Sequence, residues 1–106
     1  MNEAALIWCP FADEESARSV IATLLGERLI ACANLLPGMQ SFFTWQGERG
    51  ESPECGALMK TTTARLDAAL LRLKALHSYE TPAITGWTVQ ADHETLAWLN
   101  AETRAI

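Results

Sequence analysis

Thiolate, imidazole and carboxylate are the side chains in this sequence that can hold a metal ion, and Cys32, His77 and Glu80 are the leading set. Sulfur and imidazole nitrogen suit copper or zinc, and a carboxylate can complete a borderline site. His77 and Glu80 lie three positions apart, so they share a face only if a helix continues through both. Tyr79 and Pro82 argue that the helix stops before then. Cys32 is remote in sequence. His77 also fits a helix-end histidine, favoured by the dipole and without a ligand role. Glu80 fits a salt bridge to a neighbouring subunit, Lys60 an ion pair near a strand end, and Trp45 an interface or core position. His93 fits a solvated first-turn helix residue.

Catalytic motifs are missing. The sequence has no G-x-S-x-G elbow, P-loop or dinucleotide fingerprint. With two histidines and three cysteines, a Cys–His pairing arises easily by chance. The expectation is a protein that is not an enzyme and needs no organic cofactor.

The elements that must position these residues follow from hydrophobic periodicity. Ala4 to Cys9 is a short apolar run closed by Pro10, the pattern of a buried central strand. Asp13 can cap a helix, with Glu14 and Glu15 at the positive end of its dipole. Ala17, Val20, Ile21 and Leu24 recur at helical spacing, and the helix fades near Gly26 to Arg28. Leu29 to Leu36 reads as a strand, with a break or bend at Pro37-Gly38. Met39 to Trp45 then alternates, placing Ser41, Phe43 and Trp45 on one face. Gln46 to Pro53 carries a hairpin-turn signature, and Cys55 to Thr61 is the returning strand. Leu66, Ala69, Leu70, Leu73 and Leu76 mark a second helix, capped by Thr63 and ending near His77. Ile84 to Val89 is the last main strand. Asp92 caps a third helix, with Leu96 and Leu99 inward and Trp98 nearby.

The order is β-α-β-β-α-β followed by a helix. That is an α+β, ferredoxin-like βαββαβ sandwich with an added C-terminal helix. Two helices cover one face of such a sheet, so the aromatic residues Phe42, Phe43 and Trp45 are expected to form an association surface. A phosphate-binding catalytic use of this fold would need a basic loop after the first strand. Here that loop is Pro10-Phe11-Ala12-Asp13-Glu14-Glu15, whose charges repel phosphate.

Length and charge agree with this reading. A chain of 106 residues fits one domain, 1–106, and can build a core without staples. Thirteen acids against eight bases give a net charge of -5, which disfavours nucleic acid. No apolar run reaches the roughly 20 residues a bilayer requires. Glu3 stands where a signal peptide would be basic, so no secretory signal and no membrane partner are expected. Three cysteines without close pairing favour a reducing, cytoplasmic setting. Cys9 and Cys32 sit in apolar stretches, where a free thiol behaves as a small buried hydrophobe.

The motifs resemble one family. Leu29-Ile30-Ala31-Cys32-Ala33-Asn34, then Pro37, then Ser41-Phe42-Phe43-Thr44-Trp45-Gln46-Gly47 are similar to the LxACxN…P…SxYxWxG stretch of the CutA divalent-cation-tolerance proteins. Glu54 with Lys60-Thr61 resembles their ExxxxxKT element, and His77-Ser78-Tyr79-Glu80-Thr81-Pro82 their H-P-Y-E-x-P-E-I motif. Leu96-Ala97-Trp98-Leu99 resembles the closing YxxW segment. Phe43 stands where the family usually has tyrosine, Ser78 replaces a proline, and Ala83 replaces a glutamate. The resemblance implies a homotrimer of ferredoxin-like subunits and a role in tolerance of copper or another divalent metal ion. An alternative is a trimeric small-molecule sensor resembling the PII signalling proteins. Trp45, Lys60, Tyr79 and Glu80 would then line an intersubunit cleft for an organic ligand such as an anion.

Overall fold

The computed structural model describes residues 2–104. Seven elements follow in order: β1 (Glu3–Phe11), α1 (Glu14–Gly26), β2 (Cys32–Trp45), β3 (Glu48–Thr62), α2 (Thr63–Leu76), β4 (Thr85–Gln90) and α3 (His93–Thr103). The strands form one sheet in the order β2-β3-β1-β4, and every neighbouring pair is antiparallel. This is the ferredoxin-like arrangement expected from the sequence, with its added C-terminal helix. Among the described residues, no helix is long and apolar enough to cross a membrane.

Strand alternation divides the sheet into two unlike faces. Ile7, Cys9 and Phe11 of β1 and Cys55, Ala57 and Met59 of β3 are buried against Ala17, Val20, Ile21 and Leu24 of α1 and Ala69 and Leu73 of α2. On the other face, Trp8 and Met39 pack over Gly56, occupying the space a side chain there would need. Phe43 and Trp45 continue this face, which α1 and α2 leave uncovered, and are 46% and 54% exposed. α3 packs against β3 and β1. It is tied to α2 by Arg65 Nε, which donates to the Thr103 carbonyl at 2.7 Å. Leu99 is buried, Leu96 half-buried and Trp98 exposed.

Several boundaries differ from the sequence expectation: β2 begins at Cys32 rather than Leu29, β4 is shifted by one residue, and four further differences have local reasons. Pro10 does not close β1, which runs to Phe11. β4 pairs only as far as Trp8 with Thr85, so the donor that Pro10 lacks is not needed on that side. The hairpin turn is not Gln46 to Pro53 but the pair Gln46-Gly47, with φ of 51° and 82°. Two consecutive left-handed residues make a turn whose twist matches the flanking strands. Both strands therefore continue, with Pro53 opposite Gln40, in a stretch of β3 beyond its pairing with β1. Pro37-Gly38 does not break β2. It forms a bulge between Leu36 and Met39, with Gly38 at φ 74°. Finally, Thr62 rather than Thr63 occupies the N-cap position of α2, without a side-chain capping bond.

The caps at Asp13 and Asp92 are as the sequence indicated. Ser16 N–H donates to Asp13 Oδ1 at 2.7 Å, and Thr95 N–H donates to Asp92 Oδ1 at 2.9 Å. Both bonds hold these exposed carboxyls below the usual carboxylate range.

Candidate functional site

His77 ends α2 and organises the turn that follows it. Its N–H donates to the Leu73 carbonyl at 3.0 Å, closing the helix. The imidazole is buried, stacked on Phe11 with ring centroids 4.5 Å apart and planes at 12°. Nδ1 accepts from the Tyr79 N–H at 3.1 Å. That acceptor role assigns the proton to Nε2, which donates to the Pro10 carbonyl at 2.9 Å. Both ring nitrogens are spent on backbone.

Tyr79 extends this chain of contacts to the hairpin. Its ring lies 4.8 Å from that of His77 at 47°. Its hydroxyl donates to Glu54 Oε2 at 2.6 Å, a short bond of the charge-assisted kind. Burial, followed by the bond to the Glu54 carboxylate, pushes the phenol above its ordinary range, so Tyr79 stays a neutral donor. Pro10, Phe43, Trp45, Glu54, Tyr79 and Pro82 together line a cleft of about 550 Å³ beside the β2–β3 hairpin. The expected facing of Ser41, Phe43 and Trp45 to one side is what brings all three to its wall.

The proposed metal trio does not meet within the subunit. Cys32 opens β2 in register with Lys60, and Lys60 is in register with Leu6. Pro10, which His77 contacts, lies four residues further along β1, about 13 Å at the usual strand rise. Metal–ligand bonds span roughly 2 Å. Glu80 is exposed in the turn, but the helix stops before it and the nitrogens of His77 face backbone. Among the described residues, no group of three or more His, Cys, Asp or Glu side chains is placed to hold a metal ion.

Of the cleft residues named from sequence, Trp45 and Tyr79 line the cleft, and Lys60 and Glu80 are not in its lining. Lys60 lies six positions from Glu54 along β3, about 20 Å, and makes no ion pair among the described residues. Cys32 is half-buried rather than a core thiol, because it falls on the face away from α1 and α2. Cys9 and Cys55 are the buried thiols. Burial pushes Cys9 up to about 12, with the Glu54 charge adding to it, so it remains protonated.

Sequence reading missed the roles of Pro10, Phe11 and Glu54. Glu54 carried one usable signal. It alternates in phase with Ser52 and Gly50, on the face shared by Phe43 and Trp45.

Comparison with known proteins places these features in context. Residues 5–102 match the family model described as CutA1 divalent ion tolerance protein. The divalent-cation tolerance protein CutA of Thermus thermophilus is 41% identical over 104 residues, covering 97% of this chain and 99% of the relative. The crystal structure of divalent ion tolerance protein CutA1 from Ehrlichia chaffeensis superposes with a TM-score of 0.88 at 30% identity, covering 99% of both chains. The periplasmic divalent cation tolerance protein CutA of Archaeoglobus fulgidus gives a TM-score of 0.89 at 28% identity, covering 96% of this chain and 99% of that one.

Proposed function

The chain belongs to the CutA1 divalent ion tolerance family, and on that premise we propose that it is a non-catalytic, cytoplasmic homotrimer that binds copper or another divalent metal ion. The observation that carries the reading is the family match, which runs through nearly the whole chain. The face away from α1 and α2 supports assembly, because it leaves Phe43, Trp45 and Trp87 exposed on a subunit of ordinary size.

The donor set decides how a metal can be held. A first-row ion takes about four ligands, and the described residues of one subunit do not bring three together. The metal is therefore held where subunits meet, with Cys32 as its soft donor and Glu80 as an oxygen donor. His77 keeps the turn folded and leaves the metal alone.

Calorimetric titration of the assembled protein with copper tests this division. Cys32→Ser should weaken binding by about tenfold or more, taking the loss found for outer-sphere partners as a floor. Glu80→Gln should weaken it less, and His77→Ala not at all where assembly survives. Affinity should fall as pH drops, since binding displaces the thiol proton. Equal binding by wild type and Cys32→Ser would remove the thiol from the site.

The cleft supports a second reading, a small-molecule sensor. Trp45 and Tyr79 line one wall system within a single subunit. Lys60 would reach that cleft only from a neighbouring subunit.

A further inference from the structure

We propose that the cleft between the β2–β3 hairpin and the turn after α2 binds a small organic ammonium ion. The proposal rests on the small-molecule reading and is independent of the metal reading. It also changes the ligand's charge from the one the sequence suggested.

Three ring systems line the cleft, those of Phe43, Trp45 and Tyr79, together with the apolar rings of Pro10 and Pro82. Among the described residues, Glu54 is the only carboxylate in the lining, and neither lysine nor arginine joins it. Aromatic faces attract a cation through the ring quadrupole, most strongly where the cation has been desolvated. A weakly hydrated alkylammonium leaves water at lower cost than a compact metal ion does. A divalent metal would find one carboxylate where it needs several donors. Within the subunit an anion would find a carboxylate and, among the described residues of the lining, no positive partner. The chain's net charge of -5 adds a field that favours cations.

The walls are held in place before any ligand arrives. The Phe43 ring lies over Gly50, filling the space a side chain would take at that position. Tyr79 is fixed at both ends, by its N–H on His77 Nδ1 and its hydroxyl on Glu54 Oε2. The phenol proton satisfies one carboxylate oxygen. The other, Oε1, has no hydrogen bond from the described residues and is available to a ligand. A volume of about 550 Å³ accommodates a trimethylammonium head and a short tail.

The test uses choline, its neutral isostere 3,3-dimethylbutan-1-ol, and citrate, each titrated into the assembled wild-type protein. The readout is the Trp45 indole N–H in a proton–nitrogen correlation spectrum, assigned with Trp45→Phe. Choline should move that resonance saturably, and the neutral alcohol should bind about tenfold more weakly or worse. Glu54→Gln, which keeps an acceptor for Tyr79, should weaken choline about tenfold, while Tyr79→Phe keeps the ring and should stay within a few-fold. If the alcohol matches choline, the site is merely apolar and the proposal is overturned. A response to citrate but not choline overturns the cation while the small-molecule reading stands. No response to any probe, with the trimer intact by sedimentation, overturns both. Copper binding is measured separately and is untouched by either result.

Discussion

The purified chain should sediment at three times its 11.6 kDa subunit mass, with no monomer at micromolar concentration, and Trp45→Ala should drive it toward dissociation. β2 is an edge strand of 14 residues, and the hairpin it shares with β3 stretches the subunit to 43 Å in its longest dimension. Phe42, Phe43 and Trp45 on that arm are 74%, 46% and 54% exposed. Isolated hairpins are marginal in water, and a bare edge strand invites pairing with another chain. Trp45 keeps one face of its ring in the cleft, and burying the remainder between subunits makes its removal a large-to-small change, costing about 3 kcal/mol. That is over a hundredfold in an association constant. Sedimentation equilibrium across a concentration series reads the shift, and melting temperature becomes concentration-dependent. A variant that assembles as tightly as wild type would restrict Trp45 to the cleft wall.

His77→Ala should cost about 2–4 kcal/mol of stability and leave copper affinity unchanged. The side chain is 8% exposed and makes two backbone hydrogen bonds. Removing it leaves the Pro10 carbonyl and the Tyr79 N–H short of partners, at roughly 1–3 kcal/mol when such a group is buried. The lost stack on Phe11 adds about 0.5–1.5 kcal/mol. A histidine acting only through the helix dipole would give about 0.3–1 kcal/mol. Urea unfolding at one fixed protein concentration distinguishes these values. A loss below about 1 kcal/mol, or a copper affinity that falls with it, would return His77 to a dipole or ligand role.

The sequence made the fold legible because most of its signals are local. Asp13 and Asp92 cap helices that begin one residue later, and period-2 alternation placed Phe43 with Trp45. Where local signals misled, tertiary pairing had decided the matter. Pro10 and Pro53 read as strand breakers, yet each lies where its strand lacks a partner on one side. Cys32 read as a core thiol from its apolar neighbours, but alternation turns it to the face away from α1 and α2. The site was less legible than the fold. His77 and Pro10 are 67 positions apart, and Tyr79 and Glu54 are 25 apart. No spacing rule joins such pairs; the sheet register and the end of α2 do.

Diffraction at the copper absorption edge, from crystals of the assembled protein soaked with copper, is the most direct test of a trimer that carries a divalent metal between its subunits. The account expects an anomalous peak about 2.3 Å from Cys32 Sγ, a normal metal–thiolate distance, with a further donor supplied by another subunit. A peak confined to the exposed His93, or no peak at all in crystals of a trimer, would contradict it.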